Sequence, residues 1–143
     1  MTRFTAGPVE SPGFLLWHAT LRWQRDIAAA LAPLGLTHVQ FVLLACTFWA
    51  TRDGASTNQA GVAAQAGTDP KMTSDVVARL ERKGLLARAA DPQDARAKLL
   101  RVTTDGATLA KRAIDVVEDV DARFFEQEKS SVVLPLLHRL AGL

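Results

Sequence analysis

Cysteine and aromatic residues are scarce in this sequence. It contains one cysteine, Cys46, and no tyrosine, and aromatic residues make up only 6% of its 143 positions. A single cysteine excludes an internal disulfide framework, which fits the reducing cytoplasm without requiring it. β-Branched residues are few beside alanine and leucine, which favours helices. The apolar share of 48% is enough for the core of one ordinary domain or one subunit of an intertwined oligomer.

Long hydrophobic runs are also missing. The longest apolar stretch, VQFVLLACTFWA, is interrupted by polar residues and is shorter than the ~20 residues that span a bilayer. The N-terminus MTRFTAGPVESPG lacks a charged start followed by a long apolar segment, so no secretory signal is expected. We therefore expect a cytoplasmic protein with no membrane partner.

Catalytic and metal-binding motifs are absent as well. The sequence has no P-loop, no G-x-S-x-G and no H-E-x-x-H. Three histidines, His18, His38 and His138, do not have the spacing of metal ligands. These observations predict a protein that is not an enzyme and that needs no cofactor and no metal.

The charges are unevenly distributed along the chain. The formal net charge is +2, but residues 68–101 hold 8 basic and 5 acidic residues, whereas residues 102–143 hold 5 basic and 7 acidic residues. A local basic excess of this size is a weak sign of a polyanionic partner.

The first part of the chain predicts an irregular arm over residues 1–12 and then two helices. An apolar stripe at helical spacing runs from about residue 13 to 32, through Leu16, Trp23, Ile27 and Leu31. Pro33 and Gly35 follow it and end the helix. Thr37 is a good N-cap for the next helix, LTHVQFVLLACTFWATR, which is apolar nearly all round and is therefore expected to be central.

The middle of the chain predicts two short helices. Ser56, Thr57 or Asn58 is expected to cap the first, which ends at Gly67. Asp69 is expected to cap the second, with Pro70 at its first position and Gly84 as its stop. Its predicted buried stripe consists of Thr73, Val76 and Leu80.

A β-hairpin and two further helices complete the predicted elements. The runs LLARAA and AKLLRVT flank a turn that begins at Asp91-Pro92. Arg96 is expected at the tip, with Asp94 holding its guanidinium by a charge-assisted hydrogen bond. A long helix is predicted from Thr103 or Thr104 to about Glu128, with a stripe of Ala113, Val117, Val120 and Phe124. A last helix, 131–141, carries more apolar residues than a lone surface helix needs: Val132, Val133, Leu134, Leu136, Leu137 and Leu140.

Two short helices followed at once by a hairpin have the order of a winged helix-turn-helix. The second helix of such a motif enters the major groove of DNA, and a wing arginine can enter the minor groove. The candidate DNA-binding residues are Asn58, Gln59, Lys71, Met72, Ser74, Asp75, Arg79, Arg88, Arg96 and Lys98. Two alternatives stay open: Arg79 can instead pair with Asp75 or Glu81, and Arg96 can be a solvated hairpin charge.

The run DPKMTSDVVARLERKGLLARAADPQDARAKLLRVTTDG resembles the DNA-binding core of the MarR family of bacterial transcriptional regulators. The matching residues are Arg79-Leu80-Glu81 with Lys83-Gly84-Leu85, the wing residues Asp91-Pro92, Asp94, Arg96 and Lys98, and the closing Val102-Thr103 and Gly106. ALAPLGLTHVQFVLLA resembles the family's junction between its first two helices. The resemblance covers about residues 14 to 141.

The resemblance implies a mainly α fold: a winged helix-turn-helix with long N- and C-terminal dimerisation helices and one β-hairpin wing. The chain, 1–143, would be one MarR-like subunit, with dimerisation helices in 14–35 and 104–143 and a DNA-binding lobe in 37–103. The implied function is a sequence-specific, ligand-responsive regulator, acting as a repressor and a homodimer on a pseudo-palindromic operator in double-stranded DNA. The alternative is a winged-helix adaptor that contacts proteins and not DNA.

A small aromatic effector is the other partner that the resemblance implies. Family members often have an aromatic-lined pocket between the dimer helices and the DNA-binding lobe, and Trp17, His18 and Phe41 are the candidates to line it here. Cys46 lies in an apolar helix, where a buried, inert thiol is the default and redox sensing is the alternative.

Overall fold

A computed structural model describes residues 3–143; Met1 and Thr2, which belong to the expected N-terminal arm, lie outside the described residues. The six α-helices are α1 (Pro12–Leu31), α2 (His38–Thr51), α3 (Gln59–Ala66), α4 (Pro70–Arg82), α5 (Thr104–Phe124) and α6 (Ser130–Ala141). The three strands are β1 (Thr57–Asn58), β2 (Leu86–Asp91) and β3 (Asp94–Val102). This mainly α winged-helix fold confirms the predicted fold class.

Side-chain caps start the helices at the predicted residues. Thr37 and Gln40 form a reciprocal capping box at the start of α2, each side chain accepting from the other's backbone N–H at 3.2 Å. Of the three candidate caps for α3, Ser56, Thr57 and Asn58, the residue that caps the helix is Asn58. Asp69 caps α4. Thr103 caps α5 by accepting from the N–H of Gly106. Each cap satisfies an otherwise unpaired backbone N–H.

The hairpin is part of a three-stranded antiparallel sheet with the order β1-β3-β2. Strand β1 has only two residues, which pair with Leu99 and Leu100 of β3. The sequence analysis missed β1, because a strand of two residues has no measurable alternation. By holding Thr57 and Asn58 against the wing, β1 fixes where α3 begins.

The core surrounds α2, as predicted from its apolar composition. The largest fully buried side chains are Ile27, Leu31, Leu43, Leu44, Leu80, Leu86, Val62, Val77, Thr47 and Thr73. These residues come from α1, α2, α3, α4 and β2, so the helix-turn-helix and the wing share one core. The predicted inward stripe of α4 is confirmed, with Val77 added to Thr73, Val76 and Leu80.

Two helix predictions need correction. The apolar stripe of α1 is only partly buried: Leu16 is exposed, whereas Ile27 and Leu31 are buried. The helix α5 ends at Phe124 and not near Glu128. Phe125 leaves helical geometry and its N–H closes on the carbonyl of Asp121, and the polar residues that follow offer no apolar stripe to bury.

The last helix packs little against its own chain. Helix α6 has no buried residue, and Leu134, Leu136, Leu137 and Leu140 are all exposed. The N-terminal half of α1 is similar, with Phe14, Leu15, Leu16, Trp17 and Leu21 exposed. Both segments therefore leave large apolar side chains uncovered in the single chain.

The end of α4 is tied to the starts of α2 and α5. Lys83 Nζ donates to the carbonyl of Gly35 at 2.5 Å and to Gln40 Oε1 at 3.0 Å. Thr103 Oγ1 donates to the carbonyl of Gly84 at 2.6 Å. The orientation of α4 is therefore fixed by bonds to both flanking helices.

None of the helices in residues 3–143 is by itself long and apolar enough to cross a membrane, and only residues 12–34 and 38–51, taken together and bent by 74°, meet the same measure.

Candidate DNA-binding interface

Helix α4 exposes one polar face. Its first turn is fixed by Asp69, whose Oδ1 accepts from the N–H of Met72 at 2.9 Å. With the apolar stripe turned inward, Lys71, Met72, Asp75 and Arg79 are exposed and Ser74 is half-buried. This face carries hydroxyl, carboxylate and cationic groups near the N-terminal end of the helix, which is the arrangement that reads base edges in a major groove.

Arg79 is free of the two ion pairs that were considered for it. Within residues 3–143 its guanidinium lies within 4.0 Å of no carboxylate, because Glu81 pairs with Arg88 instead. The exposed guanidinium is therefore available to an external acceptor.

The start of α3 places two amides beside the wing. Asn58 Oδ1 accepts from the N–H of Gly61 at 2.8 Å, so its oxygen is used in capping. Gln59 Oε1 accepts from Arg88 Nη1 at 3.4 Å. In both side chains the amide NH₂ keeps its capacity to donate to an anionic oxygen.

The wing differs from the prediction in where it puts Arg96. The turn itself is made by Pro92 and Gln93, and Asp91 Oδ1 accepts from the N–H of Gln93 at 2.8 Å. Ala90 pairs with Lys98 but the next residue, Asp91, pairs with Asp94, so residues 95–97 form a bulge on β3. Arg96 is the middle residue of that bulge and not the tip. A bulge re-aims its side chain away from the regular ladder.

Asp94 acts on the backbone and not on the guanidinium of Arg96. Its Oδ1 accepts from the N–H of Arg96 at 3.0 Å, an Asx-type turn bond between residues two apart. In the described part of the chain the Arg96 guanidinium has no carboxylate partner, and the side chain is exposed. Asp94 therefore shapes the bulge and leaves the arginine free.

Arg88 is engaged by its own chain. Its Nη2 lies 3.3 Å from Glu81 Oε1, and its backbone N–H donates to Glu81 Oε2 at 3.3 Å. Together with the bond to Gln59, these contacts occupy the guanidinium that was predicted to approach phosphates. Nothing in the sequence pattern indicated this cluster.

A cleft joins the three parts of the surface. It has a volume of about 390 Å³ and is lined by Gln59, Ala60, Ala63, Ala64, Thr68, Pro70, Thr73, Arg96, Ala97 and Lys98. The start of α3, the start of α4 and the bulge of β3 thus face one another, with two cations, Arg96 and Lys98, on the wing side. A groove of this form suits a nucleic-acid backbone, which is polyanionic.

The three residues expected to line an effector pocket have different surroundings in the single chain. Trp17 is 64% exposed. His18 makes an edge contact with Phe14 at 4.5 Å between ring centroids, and Phe41 packs against the core from α2. A cleft of about 500 Å³ lies elsewhere, between the C-terminal end of α2 and the back of the wing, with Phe48 and Leu99 among its apolar lining and Arg52 and Arg101 among its polar residues.

Two residues of α2, His38 and Cys46, have shifted pKa values. Burial lowers the pKa of His38 below its ordinary value, and the nearby carboxylate of Asp121 partly offsets this by raising it. Burial raises the pKa of the Cys46 thiol, so the thiolate is disfavoured there. His38 also makes an edge contact with Trp23 at 5.1 Å.

Known proteins with similar sequences are transcriptional regulators. A model of the MarR family matches residues 36–98. The chain is 44% identical to the HTH-type transcriptional regulator YdcH of Bacillus subtilis, over 84% of this chain and 82% of the relative. It is 34% identical to the HTH-type transcriptional repressor Rv2887 of Mycobacterium tuberculosis, over 78% of this chain and 77% of that protein.

Solved structures agree with the sequence comparison. The crystal structure of CouR from Rhodococcus jostii RHA1, bound to p-coumaroyl-CoA, superposes with a TM-score of 0.80 and 30% identity, covering 94% of this chain and 91% of that one. The agreement extends over the helix-turn-helix, the wing and the terminal helices. From its sequence relatives and its fold together, this chain belongs to the MarR family of transcriptional regulators.

Proposed function

We propose that this protein binds a specific double-stranded operator as a homodimer and represses transcription until an effector binds. The observation that carries the proposal is the cleft described above, where unpaired wing cations face the capped starts of α3 and α4. The name of its relative Rv2887, a repressor, supports the direction of regulation. In this proposal the chain is one subunit, with 37–103 as the DNA-binding lobe and 14–35 and 104–143 as the dimerisation helices.

Helix α4 is the element that we place in the major groove. Lys71 and Ser74, with Met72, Asp75 and Arg79, form its exposed face. Hydroxyl and cationic groups at the start of such a helix contact base edges and the flanking phosphates. The amides of Asn58 and Gln59 donate to a phosphate at the start of α3, where the helix dipole also favours an anion.

Arg96 is the side chain that we place in the minor groove. It is exposed, has no carboxylate partner within residues 3–143 and stands on a bulge. The negative potential of a narrow, A·T-rich minor groove attracts such a guanidinium. Lys98, beyond the bulge, contributes to phosphate binding, and Arg88 acts differently, as developed below.

A second copy of the chain is the partner that we assign to α1 and α6. Leu140 is 65% exposed, and α6 is a 12-residue helix with a proline inside it and no fully buried side chain in its own chain. Helices of about 12 residues are marginal in water without packing. Two subunits joined here would present two α4 helices to half-sites about 34–36 Å apart, hence a pseudo-palindromic operator.

The effector that we propose is a small aromatic molecule. CouR, which has this fold, was crystallised with p-coumaroyl-CoA. Trp17, His18 and Phe41 remain our candidates for effector contacts. Binding of effector and of operator to different dimer geometries would lower DNA affinity when the effector is present.

The test is DNA binding measured by fluorescence anisotropy on the sequence upstream of the encoding gene. We expect a dissociation constant of about nanomolar at low salt, with a steep fall in affinity as salt rises. Arg96→Ala should weaken binding by about 1–3 kcal/mol. Arg3→Ala, which removes an exposed arginine outside the DNA-binding and dimerisation segments, should not. An absent or salt-insensitive complex would contradict the proposal and favour a protein-binding adaptor.

The subunit arrangement has its own test. Leu140→Asp should convert the dimer to monomer in sedimentation experiments and abolish operator binding, because a buried charge without a partner is disfavoured. Ser56→Asp, at an exposed position outside both dimerisation segments, is the control and should stay dimeric. A monomeric parent protein would contradict the arrangement.

A further inference from the structure

Arg88 and Glu81 form a partly buried pair that is joined by two contacts. The Arg88 side chain is 23% exposed and that of Glu81 is 40% exposed. One carboxylate oxygen of Glu81 lies 3.3 Å from Arg88 Nη2, and the other accepts from the Arg88 backbone N–H at 3.3 Å. Because the backbone bond fixes the carboxylate against β2, the ion pair does not depend on the guanidinium alone.

The cluster joins three elements of the DNA-binding lobe. Glu81 belongs to α4, Arg88 to β2, and Gln59, which accepts from Arg88 Nη1 at 3.4 Å, to α3. Arg88 is also in register with Leu100 of β3, which pairs with Thr57 of β1. The contacts of this cluster therefore help to fix the angle between α4 and the hairpin that carries Arg96.

We propose that Glu81 and Arg88 are positioning residues for operator binding. They fix α4 relative to the wing and orient Gln59, and Arg88 itself is not a phosphate ligand. With its oxygen on Arg88, the Gln59 amide has only its NH₂ left to offer, and a phosphate oxygen only accepts. This inference rests on the DNA-binding function proposed above.

The sign of one substitution separates positioning from direct phosphate contact. If Arg88 were a phosphate ligand restrained by Glu81, then Glu81→Gln would free the guanidinium, remove a negative charge and tighten DNA binding. If the pair positions α4 and the wing, then the same change loosens the interface. We expect Glu81→Gln to weaken operator binding about threefold to tenfold, the range typical of coupled residues in one network.

The matched control for Glu81→Gln is Glu10→Gln. Glu10 is an exposed acid before α1, outside the segments assigned to DNA binding and to the dimer, and it has no ion pair within residues 3–143. Glu10→Gln removes the same charge without touching the cluster, so the operator affinity of this variant should equal or slightly exceed that of the parent. Thermal unfolding of both variants establishes that they are folded at the binding temperature.

Arg88→Lys is the second variant, since it keeps the charge. A lysine cannot bridge Glu81 and Gln59 with the planar fork of an arginine. Positioning predicts that Arg88→Lys weakens binding about as much as Arg88→Ala does, and that neither changes the slope of log affinity against log salt. A phosphate ligand predicts that Arg88→Ala lowers that slope by about one and that Arg88→Lys retains most of the affinity.

The double variant Glu81→Gln/Arg88→Ala completes the cycle. When two residues act through one contact, breaking that contact a second time costs no further affinity for the operator. The double variant should therefore bind about as well as Arg88→Ala alone. Tighter operator binding by Glu81→Gln, or a reduced salt slope in Arg88→Ala, would overturn the inference about positioning. The proposed function would still stand if the parent binds the operator and Arg96→Ala weakens that binding. A parent protein that does not bind the operator overturns both.

Discussion

The indole Nε1–H of Trp23 donates to Oδ1 of Asp121 at 2.8 Å, which joins α1 to α5 across 98 residues of chain. Trp23 packs against the core from the first helix, and Asp121 lies on the last turn of the long helix. The bond therefore fixes the two long helices to each other.

Trp23→Phe should lower the free energy of unfolding by about 1–2 kcal/mol, because it removes a part-buried hydrogen bond to a carboxylate. The measurement is urea unfolding followed by circular dichroism. Trp49→Phe is the control and should change stability by less than about 0.5 kcal/mol. Trp49 is exposed, and its ring contacts, with Arg52 at 4.8 Å and edge-on with Phe48 at 6.0 Å, are ones that a phenyl ring can also make. Equal losses in both variants would contradict a specific role for the Trp23 bond.

Stability should rise with pH in the range just below 6.5, through His38. Its pKa in the folded protein is lowered by burial. Between that pKa and the ordinary value the unfolded chain binds the proton and the folded chain does not, so stability falls as the pH falls through this window. Urea unfolding at several pH values should show this slope, and His38→Phe should reduce it.

Asp121→Asn gives the sign test for the same histidine. The carboxylate of Asp121 raises the pKa of His38 and so partly offsets the effect of burial. Its removal should lower that pKa further and extend the pH-dependent window to lower pH. A histidine NMR titration in which the pKa of His38 rises in Asp121→Asn would contradict this placement.

Gly106→Ala should lower the free energy of unfolding by about 1–3 kcal/mol or more, as overpacking does. A Cβ at Gly106 would lie 1.9 Å from the carbonyl oxygen of Leu85, which is backbone and has no room to move alone. Gly13→Ala is the opposite control: a Cβ there meets nothing within 4 Å, and replacing a helical glycine stabilises by roughly 0.5–1 kcal/mol. The measurement is chemical denaturation of both variants. An unchanged free energy of unfolding in Gly106→Ala would contradict the close approach of Gly106 to Leu85.

Cys46 should react slowly with a thiol reagent such as DTNB in the native protein. Its side chain is half-buried in α2 and burial raises its pKa, so little thiolate is present at neutral pH. Unfolding in denaturant should restore the rate of an ordinary thiol. Fast modification of the native protein would instead support redox sensing.

The sequence predicts local features of this fold well. Helix caps such as Asp69 and Thr37 depend on residues within one turn, and the glycine stop at Gly84 depends on backbone geometry alone. The inward stripe of α4 follows from its period. The hairpin was found because its turn residues lie between two short apolar runs.

Non-local features were missed or misplaced. The tip position given to Arg96 was wrong because the bulge at residues 95–97 depends on strand register. The Glu81–Arg88 pair bridges a helix and a strand, so periodicity did not distinguish it from pairing between Arg79 and Glu81. Leu16 has the spacing of a core residue but is exposed in the single chain, because spacing does not distinguish a core face from an apolar face that is left uncovered.

The order of helix α6 should depend on the concentration of the chain. None of its side chains is fully buried within its own chain. If a second copy supports it, as proposed, the ordering of α6 and the association of the subunits are one event governed by mass action. Dilution then removes both the helix and its partner together. Occupancy of the operator would rise with roughly the square of chain number at low abundance, which makes the cell's supply of this regulator a control variable in its own right.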